Sequence, residues 1–566
     1  MKYVIVGGVA AGASAAARLR RLDEKAEIVI LEKTGYISYA NCGLPYFISG
    51  DISKKEKLTL QTPGSFFKRF NADVRVSSEV TAIDPAAKTV TVKNLADGSV
   101  YTESYDKLLL APGARRRALE LPGLEDERVF SLQTVEDALR LNEFIEAKAP
   151  RTAAIIGGGF VGLEMAECLS KRGMAVTMVL RSAQPMKSMD YDMACGILAC
   201  LKKNGVTVLS EKPFRGVEPA ETGLTVLAGE EKLAADLVLL AAGTEPNSAL
   251  AEAAGLKLGV NKSILVDEHL CTSDPDIYAA GDAIQSPDPL TGAERVLPLA
   301  GPANRQGRIA ADNMAGLDHP YTGSYSASIF KLFDMSFAST GLTETAAKAA
   351  GIPCFAAVAI PTSHASYYPG ALALTLKGVF HRESGKLLGM QIYGFEGVDK
   401  RIDVAATAIR CGMTAAELSQ LDLAYAPPYS AAKDPVNVIG SIADNVLSGK
   451  VEQVYWSDLA LLRKQPDVQL LDVRMAKEVE RGMIGGAIHI PLDQLRARLG
   501  ELDPAKRYVV NCQSGLRSYI ACRILSQHGF RCVNVSGGYG FVSAVMKQTP
   551  PDREEAFPCG VKPGDL

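Results

Sequence analysis

The chain has 566 residues, enough for three or four domains with ample core and no need of disulfide or metal staples. Its 61 Lys and Arg against 64 Asp and Glu leave a net charge of −3, which argues against nucleic acid or an anionic membrane as partner. Eleven scattered cysteines, an odd number, suit a reducing cytoplasm better than a disulfide framework.

The N-terminus runs straight into an apolar strand, Tyr3-Val4-Ile5-Val6, with no basic segment of the kind that opens a signal peptide. No run approaches the roughly eighteen apolar residues of a membrane helix. A soluble cytoplasmic protein is expected.

Strand-like runs then alternate with helical patterns through the first 320 residues, the mark of α/β layers over parallel sheets. Two strand–glycine turn–helix openings stand out. In the first, Val4 to Gly12, the outer glycines Gly7 and Gly12 are kept and Val9 replaces the middle one. Glu32-Lys33 ends the next strand, where a ribose-binding acid belongs. Shortly afterwards comes Asn41-Cys42-Gly43-Leu44-Pro45, a cysteine with no partner nearby.

The second opening, Ala153 to Gly162, holds a full G-x-G-x-x-G. Gly157 allows the tight turn, Gly159 lets a pyrophosphate approach the backbone, and Gly162 lets helix pack on strand. Phe160 follows the middle glycine. The next strand, Val176 to Leu180, ends in Arg181 rather than an acid, which leaves both nicotinamides open. Cys195 and Cys200 lie on one helical stretch and are expected to be buried packing.

Residues 326–447 read as a mixed α+β region. A strand–loop–helix series follows from about 456 to 548, and a Pro-rich charged tail, expected to be loosely ordered, begins at Thr549.

Thr272 to Asp282 resembles the second flavin motif of the two-dinucleotide-domain flavoprotein disulfide reductases, in which the closing Asp binds the ribityl chain. Leu110-Ala111-Pro112-Gly113 and Ala241 to Asn247 resemble that family's crossings between its FAD and NAD(P) domains. The resemblance covers residues 1–445. It implies an FAD domain at 1–112 and 246–325, an NAD(P) domain at 113–245 and a dimerisation domain at 326–447. Gly7, Gly12, Glu32, Lys33 and Asp282 would hold FAD, and Gly157, Gly159, Phe160, Gly162 and Arg181 would hold NADH or NADPH.

A single cysteine in place of C-x4-C places the chain beside the oxidases, peroxidases and coenzyme A disulfide reductases of the family. Ala10 stands where the peroxidase-like members carry a histidine. The stretch Ser38 to Tyr46, with Tyr367-Tyr368-Pro369-Gly370 and Tyr425 to Ser430, looks like the coenzyme A type. The resemblance implies that Ser14, Arg18, Arg21, Ser38, Asn41, Tyr367 and Lys433 touch coenzyme A. It also implies that Tyr425 reaches the flavin from the partner subunit of a homodimer, and that Tyr367 and Tyr425 share in the chemistry. The phosphates need cations, which Arg18, Arg20 and Arg21 on the first helix are expected to supply. Cys42 would act as a thiolate, its pKa lowered by a helix N-terminus.

After a linker at 448–455, residues 456–548 resemble a rhodanese domain, through Leu470 to Arg474, Glu478, Gly482, Gly486 to Pro491 and Tyr508 to Ser518. Cys512, an exposed-looking thiol in a cradle loop, would carry sulfane sulfur, with Arg517 beside it. Cys512 and Arg517 enclose four residues, one fewer than the C-x5-R loop of a phosphatase, so the loop fits sulfur rather than phosphate. Cys522 and Cys532 are expected in the core.

The expected function is FAD-dependent NAD(P)H reduction of coenzyme A persulfide, polysulfide or coenzyme A disulfide at Cys42, with Cys512 delivering sulfur. An NADH oxidase using a Cys42 sulfenate, or a non-catalytic sulfur carrier, are the rivals. No metal site is assigned.

Overall fold

The computed structural model describes residues 1–549. The chain divides into Met1–Ala183 with Gly205–Ser326, and Gln184–Asn204 with the chain from Ala327 on.

The first unit holds two five-stranded parallel sheets, each built as predicted from βα alternation. Lys2–Val6 sits between Glu27–Leu31 and Lys107–Leu110, and Ile277–Ala279 returns late in the chain to pair with Lys107–Leu110. Strand residues such as Val4, Ile5, Ile30 and Leu109 are fully buried, which is why these strands read as continuous apolar runs. The second sheet centres on Thr152–Ile156, flanked by Ala175–Val179 and Leu237–Leu240.

The second unit contains a five-stranded antiparallel sheet in the order Ser328–Leu332, Met335–Gly341, Leu387–Gly394, Leu374–His381, Cys354–Ala359. A five-stranded parallel sheet follows, with Arg507–Asn511 between Val468–Asp472 and Arg531–Val535. The edge strand Cys354–Ala359 does not face water bare. The Tyr455 hydroxyl donates to the Ala356 carbonyl at 2.9 Å, and the Val358 N–H donates to the Ser536 hydroxyl at 3.1 Å. Side chains of the C-terminal module thereby occupy an edge that could template aggregation. The tail lies outside the described residues, apart from Thr549, whose hydroxyl is 3.1 Å from that of Tyr191.

Helix Tyr191–Lys203 carries Cys195 and Cys200, both buried as expected. It is fixed to the antiparallel sheet by a charge cluster that no local pattern announces. Lys377 Nζ, 3% exposed, lies 2.8 Å from Asp192, 3.2 Å from Asp190 and 2.9 Å from Glu344. Burial works against the charge on Asp190, but Lys377 and the hydrogen bonds from Gln391 and Thr345 outweigh it and bring the carboxyl down to about 2. Burial likewise opposes the Lys377 charge, and the three carboxylates reverse that, holding the ammonium well above its ordinary value.

Removing the cation leaves buried carboxylates uncompensated, which typically costs about 3–5 kcal/mol. Lys377→Met is therefore expected to lower the unfolding midpoint in a denaturant titration at pH 8. The deficit should shrink at pH 5, where the orphaned carboxyls can take up protons; an equal deficit at both values would contradict the electrostatic account.

Candidate functional site

Both glycine turns form as the motifs require. Gly7 has φ +98° and Gly157 φ +113°, conformations that side chains rarely adopt. A Cβ on Gly7 would lie 2.1 Å from the Ala111 carbonyl oxygen, and one on Gly157 would lie 2.3 Å from that of Ala241. A Cβ on Gly12 would lie 1.8 Å from the Gly7 carbonyl oxygen, and one on Gly162 would lie 2.3 Å from that of Gly157. Gly159 has open space in front of it, which is what a pyrophosphate approaching the backbone needs. Each turn feeds a long helix, Ala10–Leu22 or Phe160–Lys171, whose first N–H groups face the turn. Phe160 is half-buried at the start of the second helix, and Arg181 is exposed just beyond Ala175–Val179.

Glu32 is buried and braces the first turn. One carboxylate oxygen accepts from the Gly8 N–H at 2.8 Å, and the other accepts from the Thr34 N–H at 2.8 Å and its hydroxyl at 2.9 Å. Its neighbour Lys33 points to the surface and pairs with Glu79 at 2.7 Å. Asp282 sits in the short turn Gly281–Ala283, lining a cleft of about 150 Å³ with Ala114, Arg117, Thr244 and Glu245. It accepts no hydrogen bond and no ion pair among the described residues, and burial alone pushes its carboxyl up to about 6. A half-buried acceptor facing a cleft, with a cradle that excludes a Cβ, fits the hydroxyl-rich ribityl chain and pyrophosphate of FAD.

Cys42 is exposed on the turn Asn41–Gly43, with Asn41 exposed beside it. The short helix Leu44–Ile48 begins directly after it. The expected lowering of its pKa is not met. The surrounding protein mass pushes the thiol up, and the negative charges of Glu164 and Asp282 add to that. One turn of helix is too weak a dipole to offset two carboxylates.

Glu164 is the residue the sequence reading missed. It lies on Phe160–Lys171, two positions past Gly162, and the Tyr46 hydroxyl donates to it at 3.4 Å. Burial raises its carboxyl to about 7, with Glu167 adding to the effect. The available signal is a second acid, Glu164, one turn before Glu167 on a helix whose other residues up to Leu169 are apolar or small.

The first helix departs from expectation at one arginine. Arg20 is buried and donates to the carbonyls of Phe70, Asp23, Glu24, Ala26 and Asn71, so it cannot meet a phosphate. Arg18 pairs with Asp312 at 2.5 Å, and Arg21 lies 5.8 Å from the Phe70 ring. The Ser14 hydroxyl donates to Asn304 Oδ1 at 2.6 Å, and Ser38 takes φ +44° with its N–H on the Gly8 carbonyl.

In the second unit, the Tyr367 and Tyr425 hydroxyls meet at 2.7 Å, and the side chains are 73% and 46% exposed. The hydrogen bond to Tyr367 is the main cause that pushes the Tyr425 phenol above its ordinary value. Lys433 is exposed ahead of helix Pro435–Leu447.

Cys512 is not the exposed thiol the loop suggested: it is 1% exposed. It directly follows strand Arg507–Asn511 and lies under its own cradle, its sulfur accepting from the Gly515 N–H at 3.1 Å and the Ser518 hydroxyl at 3.3 Å. Gly515, at φ +97°, turns that N–H inward, and Asn534 holds its carbonyl at 3.2 Å. Arg517 is bidentate to Glu478 at 2.6 and 2.7 Å, which brings that carboxyl down to about 2. Its charge is therefore already balanced. Below the cradle Asp472 and Arg474 form a buried pair at 2.7 Å, the guanidinium 3.9 Å from the Tyr539 ring centre.

Residues 1–307 match the pyridine nucleotide-disulphide oxidoreductase model, 327–435 its dimerisation-domain model and 456–541 the rhodanese-like model. An NADH oxidase of Methanocaldococcus jannaschii is 34% identical over 80% of this chain and 100% of its own. A coenzyme A disulfide reductase of Staphylococcus aureus is 36% identical over 78% of this chain and 99% of its own. Among solved structures, the reduced CoADR-RHD of Bacillus anthracis superposes with a TM-score of 0.94 at 44% identity, over 97% of this chain and 98% of that one. An NAD-dependent persulfide reductase of A. fulgidus gives 0.90 at 37%, over 96% and 100%.

Two outcomes follow for the first unit. The Asp282 carboxyl, at about 6, stands above its unfolded value of roughly 3.9, so the folded state favours the protonated form and loses that advantage as pH rises through 6. Flavin-free Asp282→Asn is expected to be more heat-stable than the parent at pH 8 and no different at pH 4, while its FAD affinity falls. Glu164→Gln should move the pH profile of Cys42 alkylation by iodoacetamide to lower pH; an unmoved profile would mean the two groups do not interact.

Proposed function

The chain belongs to the pyridine nucleotide-disulphide oxidoreductase family, and from that premise we propose that it reduces coenzyme A persulfide and coenzyme A disulfide at Cys42. The observation that carries this reading is the position of Cys42. One exposed thiol, with no partner cysteine among the described residues, feels both Glu164 of the nicotinamide-type helix and Asp282 of the flavin-type motif. Bound FAD would supply the two-electron relay from nicotinamide to sulfur. Arg181 at the surface leaves the second cradle open to NADH or NADPH.

The residues divide the work by chemistry. Gly7, Gly12, Glu32 and Asp282 hold the flavin's dinucleotide, with Lys33 at the rim. Gly157, Gly159 and Gly162 hold the nicotinamide nucleotide, with Phe160 covering its approach. Arg21, and Arg18 once parted from Asp312, offer cations to the phosphates of coenzyme A, and Ser14, Ser38 and Asn41 line its path.

The Cys42 thiolate attacks the outer sulfur of coenzyme A persulfide, which breaks the S–S bond, leaves a Cys42 persulfide and releases the coenzyme A thiolate. Two electrons and a proton then return Cys42 to the thiol and free hydrosulfide. With coenzyme A disulfide, the same attack gives a mixed disulfide, and two electrons release the second thiol. A leaving thiolate can take a proton from the Tyr367–Tyr425 hydroxyl pair, which we assign to the site of the partner subunit in a homodimer. The match of residues 327–435 to the dimerisation model supports that assembly.

Cys512 loads sulfane sulfur in its cradle and passes it on. With Arg517 neutralised by Glu478, the cradle holds a persulfide through N–H and O–H dipoles rather than through net charge. The ten described cysteines are all free, in keeping with a reducing cytoplasm.

The test is NAD(P)H oxidation by the FAD-loaded chain. Both coenzyme A substrates should support turnover, and Cys42→Ser should lower it by roughly a thousandfold or more. Turnover with neither substrate would end the proposal. Rapid oxygen uptake without any sulfur acceptor would favour the NADH oxidase reading that the Methanocaldococcus relative's name suggests.

A further inference from the structure

Two guanidiniums near the Cys512 cradle are each matched to a carboxylate. Arg474 faces Asp472 in the buried pair, and Arg517, at the end of the loop, meets Glu478 with both terminal nitrogens, at 2.6 and 2.7 Å. The second pair is held in place rather than left to chance at the surface. The Met475 N–H donates at 2.9 Å to the same Glu478 oxygen that one Arg517 nitrogen reaches, and bidentate Arg–carboxylate pairs fix their own geometry. Arg517 directly precedes Ser518, whose hydroxyl donates to the Cys512 sulfur. The guanidinium charge therefore stands beside the reacting atom and is cancelled there.

What remains aimed at the sulfur is the Gly515 N–H and the Ser518 hydroxyl, dipoles without net charge. The side chains next to the ion pair are apolar and exposed: Leu516 in the loop, and Met475 at the turn that fixes Glu478. Sulfur donors differ in the group they must release here. When the Cys512 thiolate attacks the outer sulfur of a persulfide R–S–SH, it becomes Cys512–S–SH. The electron pair of the broken S–S bond leaves with R–S⁻, a monoanion. The same attack on thiosulfate gives Cys512–S–S⁻ and releases sulfite, a dianion. Neither transfer needs an outside oxidant or reductant. Dipoles alone can receive a monoanion beside an apolar carrier, whereas a dianion that enters and a dianion that leaves call for a net cation at the sulfur.

We infer that Glu478 determines the donor specificity of the C-terminal module. By cancelling the Arg517 charge it closes the cradle to dianionic donors of the thiosulfate type and keeps it for organic persulfides whose chain is uncharged and apolar next to the sulfur. The inference rests on the reading of Cys512 as a sulfur carrier and adds the class of donor and the residue that selects it. Arg517 taken without its partner points the other way, to an anionic donor; the bidentate contact is what reverses the choice.

The experiment uses the full chain carrying Cys42→Ser, so that sulfur gained at Cys512 is not drained at position 42. The chain is mixed with ethyl persulfide or with thiosulfate, quenched by alkylation at intervals and digested, and added sulfur on the Cys512 peptide is followed by mass spectrometry. Ethyl persulfide should load at least about tenfold faster than thiosulfate. Glu478→Gln keeps an oxygen for the Met475 N–H but leaves the Arg517 charge uncancelled. It should narrow the gap about tenfold by speeding thiosulfate. That gain should fade as KCl is raised from about 50 to about 500 mM, as a charge effect must. The inference is overturned, with the carrier reading left standing, by thiosulfate loading the parent as fast as ethyl persulfide. A gap that Glu478→Gln leaves unchanged, or a gain that salt leaves untouched, overturns it equally. Loading from neither donor removes the carrier reading and the inference with it.

Discussion

The close approach of two glycine turns to the loops beside them is the constraint on which the rest of the first unit depends. At Gly7 and again at Gly157 the backbone lies so near the Ala111 and Ala241 carbonyls that no side chain fits. Each contact pins a strand–turn–helix unit against a crossing loop, and the two crossing loops, 110–117 and 241–246, frame the cleft that Asp282 faces. Any side chain at either glycine would push the helix off its strand and widen the cradle. The same device used twice in one unit is what gives one chain a site for each of two dinucleotides.

Against that rigid frame, the electrostatics around Cys42 are unusually unhelpful to a thiolate. Burial comes first, the charges of Glu164 and Asp282 add to it, and only a backbone hydrogen bond at Cys42 opposes them. A thiol held in this way is quiet until something in the cleft alters the balance. Groups that pair poorly with water and strongly with a ligand carry a stability cost, and here that cost falls on the carboxylates and the cysteine together. The C-terminal module solves the opposite problem. Cys512 has dipoles already aimed at its sulfur, and Arg517 at the end of the same loop is neutralised by Glu478, so the cradle is suited to holding sulfur rather than to attacking strongly.

The features legible in the sequence are those set by short-range geometry. Two glycine spacings, the acid at Glu32, the isolated Cys42 and the loop from Cys512 to Arg517 each declare themselves within about ten residues. The antiparallel and rhodanese-like layers followed from alternation and from short motifs. Contacts between residues distant in the chain were not legible. Arg20 looks like its neighbours Arg18 and Arg21, yet it finds five carbonyls, two of them some fifty residues away. Lys377 gathers acids from Asp190, Asp192 and Glu344, and Arg517 meets Glu478 across a loop. Cys512 was misread because a loop position suggests exposure, whereas the strand end beneath that loop is buried. Glu164 was missed because its meaning comes from Tyr46 and Cys42, more than a hundred residues earlier.

The central claim is that sulfur reaches position 42 and leaves it as hydrosulfide by way of the nicotinamide nucleotide. Mass spectrometry of the FAD-loaded protein after exposure to polysulfide, before and after NAD(P)H is added, reads this directly. The account predicts one added sulfur on the Cys42 peptide and one on the Cys512 peptide, with NAD(P)H clearing Cys42 first. A Cys42 peptide that never gains sulfur, while Cys512 loads and empties on its own, would contradict it.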